Sequence, residues 1–188
     1  MHSIYISSNN IISSLGFNTE NNIEKLKKGI SGIKFNNNFK DINEYTANIE
    51  DSVLNYKFSE ISDNENYTKL EKMMILSLND TISKCSFPIT KNTALIISST
   101  KGNINLLDQA NYNLNPNRIY LTELGEVIKK FFKFYNEPII ICNACVSGLL
   151  GITVAKKLIN NKYYKNAFVV AGDVVSRFTL SGFKSLQA

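Results

Sequence analysis

The sequence predicts an α/β layer fold with a mixed, mainly parallel sheet, and three observations carry that prediction. Three runs, Thr93 to Ser98, Pro138 to Cys142 and Ala167 to Ala171, are almost wholly apolar, as strands covered by helices on both faces are. Between them lie segments whose apolar residues recur at three and four, the helical spacing. No charge appears between Glu137 and Lys156, so a buried strand there leads straight into a buried helix. Strands alternating with helices build a parallel sheet between helix layers. The 188 residues, 44% of them hydrophobic, suffice for one such domain, and no internal repeat or linker divides them.

Taken in order, Ile4-Tyr5-Ile6 ahead of Ser7-Ser8-Asn9-Asn10 reads as an opening strand and turn. Thr19 can cap a helix with Glu20 in its first turn, Lys25, Lys27 and Lys28 in its last and Gly29 just beyond. Only Ile23 and Leu26 form an apolar stripe there, so that helix belongs on the surface. From Phe35 to Asn66 the chain is polar and rich in Asn, an excursion with one short strand near Tyr45 to Ile49. Leu70, Met73, Met74, Leu78 and Ile82 then mark a helix. Thr93 to Ser98 is a strand. After an Asn-rich turn at Asn111 to Asn117, Thr122 can cap a helix with Leu124, Val127, Ile128, Phe131 and Phe132 on one face. Pro138 to Cys142 and Ala167 to Ala171 are the remaining strands, the second closed by Gly172-Asp173.

Composition narrows the function classes. Collagen, coiled-coil and disordered readings fail, and no apolar run approaches the roughly 18 residues of a membrane span. Met1-His2-Ser3-Ile4-Tyr5 lacks the basic and apolar regions of a signal peptide, so a cytoplasmic location is expected. Three cysteines, Cys85, Cys142 and Cys145, are an odd number that argues against a disulfide framework. The single histidine is His2, so triads, His-metal sites and Cys-His dyads have one imidazole to draw on. The net charge of +5 favours an acidic partner, although most lysines sit where helix ends and solvated faces account for them. No basic stripe interleaved with aromatics points to nucleic acid.

Cys145 is the candidate for chemistry. It stands where the apolar strand turns into a helix, and the unpaired N–H groups of a helix start favour a thiolate and can hold a developing oxyanion. The competing reading makes it a small buried apolar residue. Cys142 and Cys145 also form a C-x-x-C. A thioredoxin-like site would place the first cysteine at the helix start with a proline later in the chain, whereas Pro88, Pro116 and Pro138 all precede the pair. Zinc needs about four ligands, and only Cys85 and His2 could join. Ser147-Gly148 lacks the glycine of a G-x-S-x-G elbow, and Thr100-Lys101-Gly102-Asn103 lacks the P-loop spacing.

Three segments, in order, resemble β-ketoacyl-acyl-carrier-protein synthases. They are Ile4 to Ile33, with Ile12-Ser13-Ser14-Leu15-Gly16 and Gly29-Ile30-Ser31-Gly32-Ile33, then Asn143-Ala144-Cys145-Val146-Ser147-Gly148, then Ala171-Gly172-Asp173 followed by Ser181-Gly182-Phe183. The resemblance implies the amino-terminal half of a thiolase-like layered fold over residues 1–188, with the carboxy-terminal half absent. It implies that Cys145 takes an acyl group from an acyl carrier protein or coenzyme A thioester, its own N–H contributing to the oxyanion hole. A malonyl unit would then decarboxylate and attack that acyl group, in fatty acid or polyketide-type synthesis, with no cofactor or metal. The acidic carrier protein becomes the expected partner, and the strand Pro138 to Cys142 the edge through which a homodimer or heterodimer forms. In such enzymes two histidines, or one and an asparagine, come from the second half, so this chain alone is expected to accept acyl groups without condensing them. A non-catalytic thiolase-like subunit that binds a partner or shapes an acyl tunnel is the alternative.

Overall fold

The computed structural model describes residues 3–39, 42–63, 66–108 and 114–187. In chain order these form α1 (Thr19–Lys27), β1 (Lys34–Phe39), β2 (Ile42–Thr46), α2 (Asp51–Ser59), α3 (Lys69–Ser83), β3 (Thr93–Ser98), α4 (Leu121–Phe132), β4 (Ile139–Ile141), α5 (Ser147–Asn160), β5 (Asn166–Ala171) and α6 (Arg177–Ser185). Short 3-10 turns at Ile104–Asp108, Pro116–Ile119 and Ala144–Val146 complete the set. His2 lies outside the described residues, as does part of the Asn111 to Asn117 turn.

The apolar strands assemble as expected into a parallel sheet of order β4-β3-β5, with Ile96 beside Ile139 on one side and beside Val169 on the other. β3 is central and buried along its whole length. Its side chains alternate between two helix layers. Leu95 and Ile97 join Phe168 and Val170 under Leu70, Met74, Ile75 and Leu78 of α3 and Leu124 and Ile128 of α4. Ile96 and Ser98 face α5 on the opposite side. The sheet is parallel throughout, and the antiparallel element stands apart as the hairpin β1-β2, where Lys34 pairs with Thr46.

Close approach of α5 to the sheet depends on small residues. A Cβ on Gly151 would lie 3.0 Å from Val169 Cγ1 and 3.6 Å from Ile96 Cγ2, and one on Gly148 would lie 3.4 Å from Ala171 Cβ. Gly148, Gly151 and Ala155 repeat at three and four, so one stripe of the helix sits directly on β3 and β5. That contact fixes where the helix begins.

Several expectations need correction. Ile4 to Ile6 is not a strand; Tyr5 and Ile6 are 83% and 75% exposed, and no neighbouring strand takes their backbone hydrogen bonds among the described residues. The helix after Cys145 is not buried all round, because Leu149 and Ile152 face outward beyond the small-residue stripe. α1 is capped by Asn18, whose Oδ1 accepts from Asn21 N at 2.8 Å, while Thr19 begins the helix. α4 starts at Leu121 behind Tyr120, leaving Thr122 inside it, because the 3-10 turn at Pro116–Ile119 already brings the chain to helical entry. The excursion holds two strands and α2, where one strand was expected. α3 begins at a capping box, with Thr68 Oγ1 accepting from Glu71 N at 3.2 Å and Thr68 N–H donating to Glu71 Oε2 at 2.8 Å.

Candidate active site

All three strand exits converge at the carboxyl end of the sheet, where open parallel sheets place their sites. The ladder continues one residue past each strand, as Ser99 N–H donates to the Ile141 carbonyl at 3.3 Å and Gly172 N–H to the Ser98 carbonyl at 3.0 Å. The loop after β3, the Cys142 to Val146 turn after β4 and Gly172-Asp173 after β5 therefore lie side by side.

Cys145 occupies the middle of the Ala144–Val146 turn between β4 and α5. It is an exposed free thiol, which discards the reading of a small buried core residue. Ala144 just before it has φ +45°, a left-handed conformation that a residue with a side chain adopts at a cost of order 1–3 kcal/mol. Ser147 holds that conformation from inside the turn. Its Oγ accepts from Asn143 N at 2.8 Å and donates to the Ala144 carbonyl at 2.7 Å, and Ser147 is itself buried. Val146 N–H donates to the Asn143 carbonyl at 3.1 Å and Ser147 N–H to the Ala144 carbonyl. The Cys145 N–H has no partner among the described residues, so it is free for an incoming oxygen.

Of the other thiols, Cys142 is exposed and donates from Sγ to the Thr100 carbonyl at 3.6 Å. Cys85 stands apart beyond the end of α3, within 3.5 Å of Ser8 Oγ. All three are free. Lys101 Nζ donates to Thr100 Oγ1 at 2.9 Å. A cleft lined by Ser13, Asn48, Lys69, Met73, Asp173 and Val175, among others, shares Asp173 with this end of the sheet and does not include Cys145.

Sequence reasoning named Asp173 as the close of a strand and missed that it braces this end of the sheet. Asp173 accepts from Ser99 Oγ at 2.8 Å and from Thr100 Oγ1 at 2.9 Å, tying two strand exits together. Further back, Glu71 is fully buried and receives Asn103 Nδ2 at 2.9 Å, Arg118 Nε at 3.0 Å and a second hydrogen bond from Arg118 Nη2. Thr68 Oγ1 donates to Asn103 Oδ1 at 2.6 Å, so α3, the loop after Gly102 and the Pro116–Ile119 turn share one satisfied polar network. The T-x-x-E of Thr68 and Glu71 was the signal available in the sequence for its first link.

The chain is thus a three-stranded parallel sheet between helix layers, with the turn that holds Cys145 following the strand β4. The chain matches the solved structure described as a ketosynthase (ApeO) in complex with its chain length factor (ApeC) from Xenorhabdus doucetiae, with a TM-score of 0.74 and 16% sequence identity. The match covers 98% of this chain and 50% of that one, so this chain spans half the length of the ketosynthase-fold chain it superposes on. No protein-family model and no curated protein matches the sequence. The fold is thus the thiolase-like fold of ketosynthases, and no helix among the described residues is long and apolar enough to cross a membrane.

Proposed function

We propose that this chain supplies the acyl-accepting half of a ketosynthase-like condensing enzyme, with Cys145 as the nucleophile. The supporting observation is an exposed thiol on a strained turn, with its own N–H unpaired, at the carboxyl end of a thiolase-like sheet. In the proposed step the Cys145 thiolate attacks the carbonyl of an acyl thioester. A new carbon–sulfur bond forms, the bond to the carrier sulfur breaks, and the departing thiolate takes up a proton. The Cys145 N–H stabilises the intermediate oxyanion. Condensation with a decarboxylating malonyl unit would call on the histidines that the resemblance assigns to a second half, and no imidazole is among the described residues.

The surfaces suit acidic carriers and a partner subunit. Val146 at the end of the turn and Leu149 and Ile152 of α5 are exposed just beyond the thiol, followed by exposed Lys156 and Lys157. Among the described residues β4 pairs with β3 on one side only, so the strand from Pro138 to Cys142 is an edge open to a homodimeric or heterodimeric partner. The matched ketosynthase was solved with a chain length factor, which supports a heterodimer here.

The test is treatment of the protein with iodoacetamide or a cerulenin-type epoxide, then with an acyl-N-acetylcysteamine thioester, each followed by peptide mass mapping. Adducts and acyl groups are expected on Cys145, and Cys145→Ala should remove them. Modification of Cys85 with Cys145 untouched overturns the proposal, and alkylation of Cys145 without acylation favours a non-catalytic subunit.

A further inference from the structure

Thr100 is gripped from both sides. Its N–H donates to Asp173 Oδ1 at 3.1 Å and its Oγ1 to Asp173 Oδ2 at 2.9 Å, while its carbonyl accepts from Cys142 Sγ at 3.6 Å. Ser99 Oγ at 2.8 Å and Lys101 N at 3.3 Å also donate to Asp173 Oδ1, and Ser99 Oγ in turn accepts from Gly102 N at 2.9 Å. Four donors from three successive residues therefore converge on one carboxylate, and hydrogen bonds to an ionised acceptor are the strong ones. The backbone N–H pair of Thr100 and Lys101 forms a small anion cradle that a side chain of this same chain fills.

A structural tie between two loops would stop at Thr100. Here it passes through the Thr100 carbonyl to Cys142, three residues ahead of Cys145, and runs beside the Ser99-to-Ile141 backbone bond at the end of β4. The turn between Cys142 and Ser147 contains the left-handed Ala144, and strain of that kind persists only where its surroundings over-determine it. Ser147 constrains the turn from the helix side, so a second constraint from the strand side completes the brace.

We infer that Asp173 is a positioning residue for Cys145, acting through Thr100 and Cys142 to hold the turn with its free N–H aimed at the site of reaction. The geometry stands without any assumption about chemistry; its consequence for acyl transfer rests on the function proposed above. Acylation needs the N–H and the sulfur placed together, whereas simple alkylation needs only an accessible thiolate. Asp173→Ala should therefore slow acylation of Cys145 by an acyl-N-acetylcysteamine thioester on the order of tenfold. Iodoacetamide alkylation of the same thiol should stay within about twofold of the unmodified protein. Asp173→Asn keeps the Oδ1 acceptor that serves Ser99, Thr100 and Lys101 and should recover most of the loss.

Two further measurements decide the inference independently. Amide hydrogen exchange at Val146 and Ser147 should quicken in Asp173→Ala, on the order of tenfold, and this reads the brace even if Cys145 accepts no acyl group. In a double-variant cycle, Cys142→Ala should absorb most of the Asp173→Ala effect, because both cut one relay. If Asp173→Ala does not fold, Thr100→Val removes the Oγ1 link and carries the same expectations at smaller amplitude. Unchanged exchange at Val146 and Ser147, or effects of Asp173→Ala and Cys142→Ala that simply multiply, overturns the inference. If the wild-type protein is not acylated, yet Asp173→Ala shows the exchange change, only the proposed function is overturned.

Discussion

Replacing Arg118 with Met tests the buried network on which the loops behind the site depend. Glu71 is 0% exposed, and its carboxylate has four donors: Thr68 N, Asn103 Nδ2, and Nε and Nη2 of Arg118. Arg118 supplies two of these and the only formal positive charge among them, and its own side chain is 16% exposed. The substitution leaves a buried carboxylate with two neutral donors, a situation that costs about 3–5 kcal/mol. At a urea m-value near 2 kcal/mol/M this lowers the unfolding midpoint by roughly 1.5–2.5 M. Adding Glu71→Gln removes the stranded charge while keeping an acceptor for the Thr68 N–H, so the double variant should regain at least about 1 kcal/mol over the single one. Urea denaturation followed by circular dichroism and tyrosine fluorescence reads both. A loss below about 1 kcal/mol for Arg118→Met, the range of an exposed pair, would refute the reasoning. So would a double variant less stable than the single one.

Ser147→Ala strips both side-chain hydrogen bonds from the strained turn and should cost about 1–3 kcal/mol in thermal unfolding, with slower acylation of Cys145. Gly151→Val forces branched carbons against Val169 Cγ1, already 3.0 Å from an added Cβ, and should cost about 1–3 kcal/mol, with Gly151→Ala milder. The Glu137 carboxyl is held below its ordinary range chiefly by the hydrogen bond from Lys129. Its contribution to stability is therefore present above the usual carboxylate pKa and disappears as pH falls through the lowered folded value. Lys129→Met should return the Glu137 titration towards its ordinary range by NMR and flatten that part of the acid limb.

The elements legible in the sequence were those whose own residues declare a period. β3 and β5 are apolar runs, and α3 shows its face at Leu70, Met74 and Leu78, so local pattern sufficed. The strand-to-helix turn that holds Cys145 was legible by place, between an apolar strand and a helix with no charge before Lys156. Of the hairpin β1-β2, only a short strand near Tyr45 was legible; β1 was not, because its centre is a run of Asn that takes up a strand only beside its partner. α2 escaped because Leu54 and Phe58 alone are buried, too few to mark a stripe. The bonds of Asp173 to Ser99 and of Arg118 to Glu71 span 74 and 47 residues, and no local pattern announces such pairings. What places the thiol is thus written partly in contacts that exist only once the sheet has closed.

The central position of β3 has a consequence for how the chain is made. Thr93–Ser98 leaves the ribosome before either of its neighbours, and β5, the strand with which it pairs along its whole length, begins only at Asn166. At synthesis rates of about 5–20 residues per second, the interval is roughly 3–14 s. Only the short β4, made part-way through, can pair with it from its own sheet, and the other edge of this uncharged, strand-prone run stays open until β5 follows, the kind of segment that pairs with other chains. Slow translation, or any variant that delays β5, should therefore show itself first as aggregation during synthesis.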